Sequence, residues 1–339
     1  MLGVKVPLNK AEKTKKFLIK NGLLDFNYLS LKKENFIVFP VIKKFKKRDV
    51  IFSNEKFSKK KKRENWKSIL KKKLTKEEFD SLISAHDVVG SIAILEIPAE
   101  LEKKEKMIAD ALLKTKKNVK TVLKKAGEHS GRFRTQKMKW LAGEKTKDTM
   151  HKENNVRLKV NVEDMYFSSR LNSERKRVMK QIRKGEKILV MFSGCAPYPC
   201  VFSKNTEAKK IVGIEINKKA HEFGLKNVKL NKSNNVKLIL GDVKKIAQKL
   251  KEKFDRICMP LPRGGESFLR EALMVARKGT IIHFYDFLRE TEFEKVEEKV
   301  KKACEKKGVK YKVLNFVKCG QYSPRKFRVC LDFRVLERK

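Results

Sequence analysis

Lys187-Ile188-Leu189-Val190-Met191-Phe192-Ser193-Gly194 is an apolar run that stops at a glycine turn. Ile211-Val212-Gly213-Ile214-Glu215-Ile216 and Val236-Lys237-Leu238-Ile239-Leu240-Gly241-Asp242 repeat the pattern, each with an acid at or just past its end. Short apolar runs bounded by turn residues read as strands, and near-continuous apolarity means burial on both faces, as in a parallel sheet. Two further strands follow at 255–259 and 279–285, and helical stretches over 218–230, 267–276 and 290–306 lie between or after the five strands. That alternation predicts an α/β, Rossmann-like, doubly wound sheet, extended by two antiparallel strands at 310–317 and 327–335.

Upstream the chain changes character. A polar helical stretch at 9–21 and the β-branched, aromatic run Phe36-Ile37-Val38-Phe39 predict a small α/β unit. Between Lys43 and Lys76 stand 16 Lys/Arg against 3 Asp/Glu, including Lys59-Lys60-Lys61-Lys62-Arg63. Such a run alone reads as a basic linker, but Phe45, Phe52, Phe57 and Trp66 are interleaved with it, which favours a segment docked on protein or RNA. A second unit is expected to open with one long strand at 88–98, continue through a helix at 102–113 and a strand at 118–123, and end in a meander of short strands reaching Val162. The expected domains are 1–60 (small α/β with basic linker), 61–162 (α+β, RNA-binding) and 163–339 (the Rossmann-like domain).

The whole chain of 339 residues carries 85 Lys/Arg against 40 Asp/Glu, a net charge of +45. Heat-adapted surfaces interleave both signs, so this excess points to a polyanionic partner, nucleic acid before membrane. No run approaches the ~20 apolar residues of a membrane span, and the first residues are charged where a secretory signal would be apolar, so a cytoplasmic protein is expected. The six cysteines (Cys195, Cys200, Cys258, Cys304, Cys319, Cys330) make no paired CxxC, and the five histidines are scattered, so no metal site is expected.

In an open parallel sheet the ligand lies beyond the carboxyl ends of the strands. The first turn, Phe192-Ser193-Gly194-Cys195-Ala196-Pro197, has one glycine where a dinucleotide cradle uses three. It suits a loop lying over an adenosyl and amino-acid moiety. Glu215, ending the second strand, can bind both hydroxyls of a ribose, and Asp242, after the third, can meet an adenine amino group. Glycine turn, acid-ended strand and Gly-Asp in this order form the layout of S-adenosylmethionine-dependent methyltransferases.

On these residues the chain resembles the archaeal and eukaryotic tRNA (guanine-37-N1)-methyltransferases. The resemblance rests on Gly131-Arg132-Phe133-Arg134, Leu141-Ala142-Gly143-Glu144, Tyr166-Phe167-Ser168-Ser169-Arg170-Leu171-Asn172-Ser173-Glu174-Arg175, Phe192-Ser193-Gly194, Gly213-Ile214-Glu215-Ile216-Asn217 and Tyr322-Ser323-Pro324-Arg325. It implies S-adenosylmethionine as cofactor, tRNA as partner and a monomer. Guanine N1 carries a proton, so its methylation needs a base at N1 and a donor at O6. The resemblance gives these roles to Glu174 and Arg134. It places Tyr166, Arg170, Phe192, Ser193, Gly194, Glu215 and Asp242 at the cofactor and Arg132, Arg175, Pro260, Pro262 and Arg325 at the substrate, with Arg170 and Arg175 able to serve either. Against this, Glu174 could simply pair with Arg170 or Arg177 as a helix charge.

The family pattern is broken at Val190 and Ala196, which replace an Asp and a second Gly. It is broken again at Met259-Pro260-Leu261-Pro262, where Pro260 stands in place of an Asn. An archaeal subgroup that deviates at this motif also methylates a tricyclic wyosine precursor, so a second substrate is an expectation here. The competing readings are methylation of another RNA base and a non-enzymatic RNA-binding protein. Cytosine C5 chemistry would need a nucleophilic Cys258 or Cys200.

Overall fold

Val4 and Val6 stand two residues apart, the spacing that puts side chains on one face of a strand, and both are buried. They lie on β1 (Leu2–Pro7), followed by α1 (Ala11–Lys20), β2 (Leu31–Lys32), β3 (Phe36–Pro40) and β4 (Ile51–Asn54) in an antiparallel sheet of order β2-β3-β1-β4. The structure is a computed structural model that describes residues 1–47, 50–60, 64–127, 131–261, 263–323 and 325–338. The chain divides into Met1–Asn65 and Trp66–Lys339.

The aromatic residues of the basic stretch serve packing. Phe45 lies 5.2 Å from Phe52 and 5.7 Å from Phe17, ring to ring, and Phe57 is buried. Ile51–Asn54 pairs with β1, so this part of the stretch is sheet rather than linker. Apolar rings gain more from a core than from standing beside lysines in water. Lys61, Lys62 and Arg63 lie outside the described residues.

In the second unit, α2 (Trp66–Leu70), which buries Trp66 and Leu70, and α3 (Lys76–Asp80) precede β5 (Asp87–Val89) and β6 (Ile92–Leu95). These two strands are a hairpin, correcting the single strand expected at 88–98. Gly90 has φ +55° and makes with Ser91 a two-residue turn, the geometry that matches the twist of paired strands. A helix α4 (Glu105–Thr115) then carries the chain to β7 (Thr121–Lys125), parallel to β6, and β8 (Met138–Gly143) completes the sheet β5-β6-β7-β8.

Next come the hairpin β9 (Asp148–Glu153) and β10 (Val156–Asn161), then α5 (Asn172–Met179) and the large sheet. Its elements are β11 (Lys187–Met191), α6 (Pro197–Asn205), β12 (Lys210–Glu215), α7 (Lys218–Leu230), β13 (Val236–Leu240), α8 (Val243–Lys249), β14 (Phe254–Met259), α9 (Leu269–Val275), β15 (Ala276–Arg289), α10 (Glu294–Lys306), β16 (Val309–Ser323) and β17 (Lys326–Arg338). The strand order is β13-β12-β11-β14-β15-β17-β16, parallel through β15 and antiparallel beyond it. On β11, Leu189 and Met191 face one core, Ile188 and Val190 the other, and all four are fully buried.

Asn227 and Asn231, which the sequence marks only as helix-end residues, lock the β9–β10 hairpin onto this domain. Asn227 accepts from the Lys159 N–H (2.7 Å) and donates to the Lys159 and Cys195 carbonyls (3.0 and 2.9 Å). Asn231 does the same with Arg157, at 2.9 and 2.7 Å. Four residues apart, Asn227 in the last turn of α7 and Asn231 capping its end lie on one side, so their side-chain amides replace a neighbouring strand along the β10 edge.

Candidate active site

Strand order reverses between β11 and β14, and at that crevice lies an open cleft of about 840 Å³, solvent at its mouth included. Its walls are the turns after four parallel strands: Phe192 and Gly194, then Glu215 to Asn217, then Gly241 to Val243, then Pro260 and Leu261. Arg132, Phe133, Arg134 and Tyr166 close the remaining side.

The turn after β11 is sharply bent, with positive φ at Phe192 (60°), Gly194 (55°) and Ala196 (63°). Ala196, standing where the family has glycine, takes the left-handed conformation despite its side chain, at a cost of about 1 kcal/mol. The bend aims the Gly194 N–H at Glu215 Oε2 (2.6 Å), while the Asn217 N–H reaches Oε1 (2.8 Å). Burial pushes the Glu215 carboxyl up from its ordinary pKa, and these backbone donors pull it only part of the way back. Its unfilled lone pairs suit a ribose diol. Asp242 accepts the Lys244 N–H (2.9 Å) and forms an ion pair with Arg132.

Positive charge gathers at the mouth. Arg134, at φ 51°, donates to the Arg263 carbonyl, and Arg328 donates to the Tyr166 hydroxyl. Burial, then the nearby Arg263 guanidinium, pulls the Arg134 pKa below its usual value. An anion or a developing negative oxygen would relieve that strain.

Glu174 is 4% exposed on α5 and does not line the cleft. Arg177 grips it with two hydrogen bonds, Nε to Oε2 (2.7 Å) and Nη2 to Oε1 (2.8 Å), and Tyr285 Oη donates to Oε1 (2.6 Å). A carboxylate offers about four lone-pair positions, so three donors leave one open on Oε2. Arg177 also pairs with Asp332, which accepts from His283 Nδ1 (2.6 Å), whose Nε2 in turn accepts from Arg256 (2.8 Å). His283, Cys330 and Asp332 form the one cluster of possible metal donors among the described residues. Arg177 and Arg256 already satisfy its lone pairs, and their positive charge opposes a cation.

Three family models match the chain: the tRNA methyltransferase 5 N-terminal domain over residues 3–49, the TYW2 N-terminal domain over 66–146 and the TRM5/TYW2 methyltransferase domain over 149–314. The tRNA (guanine(37)-N(1))-methyltransferase Trm5b of Pyrococcus abyssi is 36% identical over 98% of this chain and 99% of its own. The chain belongs to the TRM5/TYW2 methyltransferase family. The crystal structure of that Trm5b superposes with a TM-score of 0.75 (34% identity, 99% of this chain and 100% of that one). A complex of aTrm5 with tRNALeu superposes at 0.72 (33% identity, 99% and 100%). The tRNA (guanine(37)-N(1))/4-demethylwyosine(37)-methyltransferase Taw22 of Nanoarchaeum equitans is 33% identical over 74% of this chain and all of its own.

Of the residues the sequence offered to this TRM5/TYW2 site, the structure gathers Arg132, Arg134, Tyr166, Phe192, Gly194, Glu215, Asp242 and Pro260 at the cleft. Ser193 is buried beneath it, its hydroxyl without a partner among the described residues. Arg175 is 1% exposed and bound to Glu153, and Arg170 donates to Asp87 Oδ1 (2.6 Å), so neither lines the cleft. Arg325 is exposed in the β16–β17 turn, outside the cleft lining, and Pro262 lies outside the described residues. Phe133, Phe268, Ile216 and Leu261 line the cleft without having been singled out; Phe133 alone carried a signal, an aromatic between two arginines. The cysteine chemistry of the C5 reading is disfavoured: burial pushes the Cys200 thiol up to about 12 and Cys258 higher still.

Proposed function

We propose that this chain transfers the methyl group of S-adenosylmethionine to N1 of guanosine 37 in tRNA. The observation that carries the reading is the cleft at the switch point, with the Gly194-capped Glu215 at its base and Arg132 and Arg134 at its mouth. The donor set fits the cofactor: Glu215 for the ribose, Asp242 for the adenine amino group, and Phe192, Val243 and Leu261 as apolar lining. When bound, the cofactor supplies an electrophilic methyl on a sulfonium. Arg134 stabilises negative charge at guanine O6, and Glu174 takes the N1 proton through its open Oε2 position, which requires α5 and the bound guanine to come together, because Glu174 is buried outside the cleft lining. The excess of basic residues supports a tRNA partner, the substrate class in the names of the relatives.

A second reading is favoured by Pro260, which lines the cleft and offers a carbonyl but no side-chain hydrogen bond. Reading of the base edge is then looser, so a tricyclic wyosine precursor at position 37 is a second substrate. The test is mass analysis of the modified nucleotide after incubation of unmodified tRNA with labelled cofactor. N1-methylguanosine at position 37 is expected; methylation elsewhere overturns the reading. Absence of cofactor binding in calorimetry would leave only an RNA-binding role.

A further inference from the structure

We propose that the Gly90 turn of the β5–β6 hairpin positions the α5 segment for methyl transfer, acting through His151, Glu153 and Arg175. This rests on the transferase reading above. On β9 the residues Thr149, His151 and Glu153 alternate with Met150 and Lys152 and so share one strand face. Each makes one link of a continuous chain.

At one end, the Ser91 N–H donates to Thr149 Oγ1 (2.9 Å) and the Gly90 N–H to His151 Nδ1 (3.4 Å). The turn is pressed so close that a Cβ on Gly90 would stand 2.3 Å from Thr149 Oγ1 and 2.5 Å from the Met150 carbonyl oxygen. Because Nδ1 accepts, the ring proton sits on Nε2, which lies 3.2 Å from Glu153 Oε2. At the other end, Arg175 grips the fully buried Glu153 carboxylate with Nε and Nη2 and also donates to the Ser168 carbonyl (3.0 Å). Its guanidinium lies over the rings of Phe167 and Tyr198, at 5.4 and 5.8 Å.

Arg175 adjoins Glu174, so the orientation of the proposed base depends on where Glu153 holds Arg175. The same hairpin reaches the segment a second time through Asp87 and Arg170. Burying an arginine and a glutamate is costly and gains little stability over apolar packing. What the pair supplies is a fixed geometry: two parallel hydrogen bonds define the angle as well as the distance. Glu153 and His151 are therefore positioning residues, set by a turn outside the sheet that forms the cleft.

The test compares His151→Phe, which keeps the ring and removes both hydrogen bonds, with His151→Gln, whose amide can donate to Glu153 and accept from Gly90. Thr149→Val is a milder break at the turn that leaves Glu153 and Arg175 untouched. Steady-state kinetics with tRNA and S-adenosylmethionine are read beside amide hydrogen exchange. His151→Phe is expected to lower kcat about tenfold with both KM values nearly unchanged, and to speed exchange across residues 169–179 while the β11–β14 ladder keeps its protection. His151→Gln should restore most of kcat, and Thr149→Val should lower it about threefold. Unchanged kcat, or a loss that the glutamine variant shares together with faster exchange throughout the sheet, overturns the proposal. If the wild-type chain methylates no tRNA, the transferase reading fails; the clamp is then judged by exchange alone and is overturned if residues 169–179 keep their protection in His151→Phe.

Discussion

Glu174→Gln keeps the size of the side chain and removes its charge, and two separable effects follow from its surroundings. The first is chemical: the amide cannot take the N1 proton, and a lost general base slows turnover about a hundredfold, ~2.7 kcal/mol in the barrier. The second is structural. Arg177 keeps Asp332 but faces an amide N–H₂ on one side, a donor against a donor, so one charge-assisted hydrogen bond is lost. Such bonds contribute about 1.5–3 kcal/mol. Tyr285 retains its acceptor when the amide oxygen takes the place of Oε1. Single-turnover methylation with saturating cofactor and tRNA reads the first effect, and the urea midpoint at constant m reads the second. Cofactor affinity by calorimetry should not move, since Glu174 is not in the cleft lining. Turnover within threefold of wild type, with the expected loss of stability, would refute the base and leave Glu174 as the structural partner of Arg177.

Asn227→Leu leaves the Lys159 N–H and two carbonyls unpaired, and should lower unfolding free energy by about 3 kcal/mol in denaturant titration. Acid should destabilise the fold in two stages. Burial holds the His283 pKa below its ordinary value, so the unfolded chain gains a proton the native core refuses, and stability falls as pH drops below about 6.5. Burial raises the Asp332 and Glu153 carboxyls, but His283 with Arg177, and His151 with Arg175, outweigh it and hold both low; their contribution is full above about pH 4.5 and is lost on further acidification, visible as falling denaturant midpoints. Pro260→Asn should suppress methylation of the tricyclic precursor more than that of guanosine, assayed on tRNA carrying either nucleotide; a wild type that ignores the precursor removes the second substrate. Charge reversal across the run at 59–63 should weaken tRNA binding and flatten its salt dependence by about one unit of slope per lost phosphate contact, read by filter binding at several salt concentrations.

Much of the catalytic domain was legible in one dimension, because the strands of a parallel sheet advertise themselves as apolar runs, even the half-exposed edge strand β13, and the cleft must lie at their ends. The three turns carrying Gly194, Glu215 and Asp242 follow from that alone, as does α7, whose bounds 218–230 match the structure. Local pattern failed where one glycine decided the outcome: residues 88–98 read as one apolar strand until Gly90 at positive φ turned them into a hairpin. It also could not say which arginines reach the cleft. Arg134 and Arg175 look alike in sequence, yet one lines the cleft and the other is buried on Glu153, which lies 22 residues away along the chain. Sequence alone determined the sheet, the turns that line the cleft and the basic character, since these depend on residue type and spacing. Only the tertiary structure decided the partners of Glu174, Arg170, Arg175, Asn227 and His151, because a buried charge or amide takes its role from whatever group the fold brings within about 3 Å of it.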